Sequence, residues 1–86
     1  MLLKQLPPEN RCIIVGDFNV DILYDYRTIQ FEPLATFEQV IAEATHYGSR
    51  GQRSLLDHIY IKNCEMKASG VLPTYYSDHD AVFLQI

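Results

Sequence analysis

The stretch LLDHIYIKN, residues 55–63, constrains the fold more than any other part of the sequence. Its β-branched and apolar residues are typical of a strand, in which successive side chains point to opposite faces. The alternation predicts one face with Leu56, His58 and Tyr60, and another with Leu55, Asp57, Ile59 and Ile61. A carboxylate buried without a partner is costly, so Asp57 needs either a partner or an edge open to water.

Three further runs also predict strands. RCIIVGDFN (residues 11–19) predicts a buried strand that continues into a loop, EMKASGVLP (65–73) a weaker strand that ends at Pro73, and AVFLQI (81–86) the last strand. The pattern of FEQVIAEAT (37–45) fits a helix or a strand, and Val40 and Ile41 favour the strand only slightly.

The remaining segments predict helices and loops. MLLKQL, at the start of the chain, predicts the end of a helix, and HYGSRGQRS (46–54) predicts a loop. Residues 21–36 fit one or two short helices, limited by Pro33. We therefore expect an α/β (α+β) fold for residues 1–86: one mixed β-sheet with a helical layer on one face.

Composition narrows the possible functions. The 86 residues suffice for one small domain, and the net charge of −4 argues against a general affinity for nucleic acid. It does not exclude a nuclease, because carboxylates around a metal ion also make a chain acidic. Cys12 and Cys64 are too few for a disulfide framework and match no zinc spacing, so we expect reduced thiols and an intracellular location, in the nucleus or cytoplasm. We expect neither a signal peptide nor a membrane span.

Acidic residues stand at the ends of three predicted strands. GDFN brings Asp17 and Asn19, which point the same way if the backbone is extended; the alternative is a turn in which Asn19 caps a helix. Asp57 has a partner or is an edge residue facing water. In SDHDA, His79 is either a proton-transfer group or part of a polar turn.

Taken together, these three places favour a reactive site over three solvated turns. An aspartate that orients a histidine, beside an Asp–Asn pair, suits metal-assisted phosphodiester hydrolysis. One carboxylate would position water, the amide would orient the phosphate, and the histidine would stabilise charged oxygens or move a proton.

IIVGDFNVD, SLLDHIYI and SDHDAV, in this order, resemble the endonuclease/exonuclease/phosphatase family, which includes the abasic-site nucleases and DNase-I-like enzymes. The sequences of these motifs are most similar to those of the endonuclease domains of non-LTR (LINE-type) retrotransposons. The resemblance covers residues 11–86. It implies half of a four-layer α/β sandwich, a strand at residues 37–45, and Mg²⁺ or Mn²⁺ as the cofactor.

The resemblance also implies a role for each matching residue. Asp17 would position the attacking water, with Asn19 as its amide partner on the phosphate. Asp57 would pair with the catalytic His79. Asp78 would be a metal ligand, as would Asp17.

The family resemblance also bears on Thr45, His46 and Asp80. Thr45 and His46 correspond to the family's Thr-Arg segment and are its candidate substrate contacts, although the arginine is replaced. Asp80 stands where the family has a less charged residue, and we assign it no role.

The family's first half, with the glutamate that is its main metal ligand, has no counterpart here. We therefore expect a truncated module without hydrolytic activity of its own and with weak or no binding of Mg²⁺. We also expect a homodimer joined sheet to sheet, because a helical layer would cover only one apolar face. The alternatives are a working phosphodiesterase assembled from two copies, a fragment of a longer retrotransposon endonuclease, and a non-catalytic interaction or scaffold protein.

Overall fold

The computed structural model describes residues 10–24 and 32–86. The helix predicted in MLLKQL and the middle of the ambiguous segment 21–36 lie outside these residues. The described elements are a 3-10 helix, Glu32–Leu34, and the strands β1 Cys12–Asp17, β2 Glu38–Gln39, β3 His46–Tyr47, β4 Arg53–Ser54, β5 Asp57–Lys62, β6 Ala68–Leu72 and β7 Ala81–Gln85.

The central sheet has the strand order β1-β5-β2, and both pairs are antiparallel. Residues directly opposite each other share a face, and Val15 lies opposite Ile59, as Asp17 lies opposite Asp57. The two faces predicted for β5 are therefore confirmed. Both are covered, because His58, Ile59, Tyr60 and Ile61 are all buried.

The other four strands form two separate hairpins. β3 pairs with β4 across a tight turn in which Gly51 has a φ of 80°, a conformation that glycine adopts without strain. The loop predicted for residues 46–54 thus contains a short hairpin. β6 pairs with β7 over their whole length, as expected for two strands separated by Pro73 and a polar turn.

The predicted fold class is wrong for the described residues. In place of one mixed sheet under a helical layer, they form three small antiparallel sheets, and their one helix has three residues. Turn-forming side chains explain part of the difference. The carboxylate of Asp21 accepts the Leu23 N–H at 3.0 Å, which favours a turn over the first turn of a helix.

The segment 37–45 is mostly irregular, with only Glu38–Gln39 as strand. The Gln39 side-chain amide bonds both the N–H and the C=O of Ile41, at 2.8 and 2.7 Å. A side chain therefore satisfies backbone groups that a longer strand would pair with its neighbour. Ile41 itself is fully buried.

The core lies between the central sheet and the β6–β7 hairpin. Its buried members are Ile22, Ile41, Leu55, Ile59 and Ile61, and Val71, Val82 and Leu84 pack against them. Each buried aliphatic side chain contributes about 1.5–3 kcal/mol, so these residues supply the main attraction between the sheets.

His58 anchors the loop that follows β1. It is fully buried; its Nε2 lies 3.0 Å from the carbonyl oxygens of Val20 and Leu55, and its Nδ1 lies 2.8 Å from the Tyr60 hydroxyl. Carbonyl oxygens only accept, so Nε2 carries a proton. Burial raises the pKa of Tyr60 to about 12, so its hydroxyl keeps its proton and can donate to Nδ1. Phe18 stacks on the imidazole with ring centroids 4.9 Å apart.

Candidate functional site

The β1–β5 register brings two carboxylates together at one end of this strand pair. Asp17 ends β1 and lies directly opposite Asp57, which begins β5. Like charges opposite each other across a strand pair are destabilising, so this pair favours a cationic or hydrogen-donating group nearby.

His79 is held beside this pair by the segment that precedes β7. Residues 78–80 lie antiparallel to β3: the Tyr47 N–H donates to the Asp78 carbonyl at 3.0 Å, and the Asp80 N–H donates to the Thr45 carbonyl at 2.7 Å. The Thr74 hydroxyl donates to the His79 carbonyl at 2.7 Å. Hydrogen bonds to the main chain of residues 78–80 therefore hold the segment that carries the imidazole.

The pairing of Asp57 with His79, predicted from the sequence, is confirmed. Asp57 Oδ2 lies 2.7 Å from His79 Nδ1, and the two side chains are 16% and 30% exposed. The contact selects the tautomer with the proton on Nδ1 when the ring is neutral. Nε2 is then left for other partners, and Asp17 Oδ2 lies 3.9 Å from it.

The surroundings of His79 favour its charged form. The hydrogen bond to Asp57 raises the pKa of His79 above 6.5, and this effect outweighs the partial burial, which lowers it. The charges of Asp57, Asp17 and Asp78 raise the pKa further. The imidazole is therefore protonated in a larger fraction of molecules at neutral pH than a free histidine would be.

Asn19 lies beside Asp17 just after the end of β1, but the backbone there is not extended as the sequence suggested. Its backbone is left-handed, with a φ of 53°, and its N–H donates to Asp17 Oδ1 at 2.9 Å. The two residues thus form a tight turn in place of an extended segment. The turn leaves Asn19 exposed and fixes one oxygen of Asp17.

Thr45, a predicted substrate contact, is held inside the protein. It is fully buried, and its Oγ1 accepts the N–H groups of Leu56 and Asp57 at 3.1 and 3.0 Å. These bonds hold the residues where β5 begins, so Thr45 positions Asp57. No sequence pattern signals this long-range contact.

His46 lies next to His79, with ring centroids 4.8 Å apart. Its Nδ1 lies 3.1 Å from Ser54 Oγ and its Nε2 lies 3.3 Å from Asp78 Oδ2. Ser54 was not predicted as a site residue, and its place opposite His46 follows only from the β3–β4 pairing. Asp80, to which no role was assigned, accepts the Thr74 N–H at 3.0 Å through its carboxylate. This bond stabilises the segment before β7 that carries His79.

The donors in this region do not suit a dedicated Mg²⁺ site. Among the described residues, two sets of three side chains could hold a metal ion: Asp17, Asp57 and His79, and His46, Asp78 and His79. Each set includes imidazole nitrogen, whereas Mg²⁺ prefers six oxygen ligands. Asp17 and Asp78, predicted to bind one ion together, fall into different sets.

Comparisons of the chain with models of known protein families, with curated proteins and with solved structures gave no significant match. The family resemblance based on the three motifs therefore stays a prediction. In the described parts of the chain, no helix is long and apolar enough to cross a membrane.

Proposed function

We propose that the chain is a module of the endonuclease/exonuclease/phosphatase type that carries one corner of a phosphodiester site and that these 86 residues do not hydrolyse phosphodiesters by themselves. The observation that carries this proposal is the Asp57–His79 contact of 2.7 Å, with Asp17 3.9 Å from the other ring nitrogen. These three residues come from the three motifs on which the resemblance rests. The proposal concerns these side chains and requires no helical layer.

Each of the three side chains has a distinct task in this proposal. Asp57 orients the imidazole and stabilises its positive charge. Protonated His79 would donate a hydrogen bond from Nε2 to a phosphate oxygen. Asp17, half exposed and fixed through one oxygen by its turn, would use the other oxygen to hold water.

The same site explains the expected lack of turnover. The donors do not suit Mg²⁺, and the 86 residues contain no counterpart of the family's metal-binding glutamate. The exposed carboxylates of Asp17 and Asp78 also repel a phosphodiester. Ligand would therefore bind weakly, through His79, without being activated for cleavage.

A titration with thymidylyl-thymidine, a dinucleotide that contains a single phosphodiester, tests whether the site binds a phosphodiester. We expect millimolar affinity, with NMR shift changes at His79 and Asp17 that disappear in His79→Gln. Gln52→Ala changes an exposed side chain on the β3–β4 turn and serves as the control. Shift changes elsewhere with none at His79, or no changes at all, would refute the proposal.

Nicking of supercoiled plasmid tests the catalytic step and separates this proposal from an active two-copy enzyme. In millimolar Mg²⁺ or Mn²⁺ we expect no cleavage above the level of His79→Gln. Metal-dependent nicking that disappears in both Asp17→Ala and His79→Gln would show that the chain is a working phosphodiesterase.

The proposal includes a homodimer and an intracellular location. Both faces of β5 are covered, so the proposed sheet-to-sheet contact would centre on β1, where Ile13 and Val15 are 41% and 56% exposed on one face. Light scattering at micromolar concentration should give twice the mass of one chain, and a monomer would exclude the dimer. The location is supported by the free thiols of Cys12 and Cys64, since thiols are kept reduced inside cells.

A further inference from the structure

We propose that His46, His79 and Asp78 form a binding site for a divalent transition-metal ion of the Zn²⁺ type. A ring nitrogen of each histidine and a carboxylate oxygen of Asp78 lie within 4.8 Å of one another. The inference uses only this geometry, and it holds whether or not the site also binds a phosphodiester.

Both imidazoles are oriented as metal-binding histidines usually are. Such a histidine donates from one ring nitrogen to a protein oxygen, which leaves the other nitrogen for the metal. His79 Nδ1 is bonded to Asp57 at 2.7 Å, and His46 Nδ1 lies 3.1 Å from Ser54 Oγ. Nε2 is therefore the nitrogen that each ring can offer to a metal. In the structure it lies 3.3 Å from Asp78 Oδ2 in His46 and 3.9 Å from Asp17 Oδ2 in His79.

The separation of the donors fits a small tetrahedral ion. Bonds of about 2.0–2.1 Å place two tetrahedral ligand atoms about 3.3 Å apart. His46 Nε2 and Asp78 Oδ2 are 3.3 Å apart. A ring nitrogen of His79 lies at most 4.8 Å from a ligand atom of His46 and one of Asp78, so a shift of about 1.5 Å brings the three donors to tetrahedral spacing.

The chemistry of the donors selects the class of ion. Two imidazoles and one carboxylate suit Zn²⁺, Ni²⁺ or Cu²⁺ far better than Mg²⁺ or Ca²⁺, which take oxygen ligands. Three protein ligands leave the fourth position of a tetrahedral ion open to water. Asp78 is 68% exposed, so the ion can enter directly from solvent.

Zn²⁺ titration of the tag-free chain, followed by calorimetry and by NMR of the histidine ring nitrogens, tests the proposal. We expect one Zn²⁺ per chain and a shift of the Nε2 resonances of His46 and His79. His58 provides an internal reference, because both of its nitrogens have buried partners and should not shift. Millimolar Mg²⁺ should not compete.

Three variants and a control complete the test. Asp78→Asn and His46→Gln each remove a ligand and should weaken Zn²⁺ binding at least about 10-fold, and Ser54→Ala about 10-fold through the orientation of His46. Asp78→Asn alters an exposed side chain, so it remains informative if His46→Gln unfolds. Glu65→Gln removes the same charge beyond the opposite end of β5 and should change nothing.

The proposal would be overturned if Zn²⁺ bound Asp78→Asn as tightly as it binds the unmodified chain. It would also be overturned if Zn²⁺ shifted the Cys12 and Cys64 resonances and left His46 and His79 unchanged. Loss of Zn²⁺ binding does not bear on the phosphodiester proposal, which the dinucleotide titration tests without any metal.

Discussion

His58 follows Asp57 in β5, His79 contacts Asp57 from the segment before β7, and the two histidines differ in what their ring nitrogens contact. His58 is fully buried, and both nitrogens have internal partners: two carbonyl oxygens and the Tyr60 hydroxyl. His79 is 30% exposed; Asp57 takes one nitrogen, and the other faces Asp17 across 3.9 Å.

The contrast shows how one residue type serves two purposes at two positions that both adjoin Asp57. A histidine whose two nitrogens are bonded inside the protein fastens chain segments together and has no capacity left for a ligand. A histidine that is oriented on one side and open on the other can bind a ligand or a proton. We therefore infer that His58 stabilises the fold and that His79 binds a ligand or a proton.

The largest effect is expected from removing the buried ring. His58→Ala should lower the free energy of unfolding by about 2–4 kcal/mol, because it leaves a cavity beside Phe18 and unpaired buried carbonyl groups. His79→Ala should cost only about 1 kcal/mol, since its ring is partly solvated. Urea unfolding measures both. Equal losses in the two variants would remove the distinction between the sites.

Thr45→Val should have the next largest effect. Valine has the shape of threonine but cannot accept the N–H groups of Leu56 and Asp57, so we expect a loss of about 1–2 kcal/mol in urea unfolding. The exposed Thr36 provides the matched control, and Thr36→Val should stay within about 0.5 kcal/mol. A neutral Thr45→Val would mean that the hydroxyl does not hold the start of β5.

Asp57→Asn should act mainly on the pH dependence of His79. In the unmodified protein the raised pKa of His79 contributes stability that is complete below pH 6.5 and is lost as the pH rises through that raised value. Without the Asp57 carboxylate, the pKa of His79 should fall towards 6.5, and this part of the pH dependence should shrink.

NMR titration of the His79 ring protons measures this change directly. Asp78→Asn is the control, because the charge of Asp78 is the weakest of the effects on His79, and its removal should lower the pKa less. A His79 pKa that is the same in Asp57→Asn and in the unmodified chain would contradict the pairing.

Local patterns predicted the parts of the molecule that depend on neighbouring residues in the chain. The alternation in residues 55–63 gave the two faces of β5, and the buried position of Asp57 pointed to a partner such as His79. The strands β2, β3 and β4 have two residues each, which is too short for any periodicity to signal. These short strands were therefore missed. The single predicted sheet was also wrong because β6 and β7, which were predicted, pair only with each other among the described strands.

The parts of the fold and of the site that the sequence did not predict depend mainly on contacts that periodicity does not reveal. The hydroxyl of Thr45 and that of Ser54 acquire their roles only when β3, β4 and β5 come together. The helical layer was predicted from apolar spacing alone. Side-chain bonds from Asp21 and Gln39 to nearby backbone groups favour turns in those segments, and spacing does not reveal such bonds.

The ring tautomers of the two histidines test the central claim most directly. NMR of ¹⁵N-labelled, metal-free protein, at a pH above the His79 titration, reports which ring nitrogen carries the proton. We predict opposite tautomers, with the proton on Nε2 in His58 and on Nδ1 in His79. A proton on Nε2 of His79 would contradict the account, because Asp57 would then not orient the ring for a ligand.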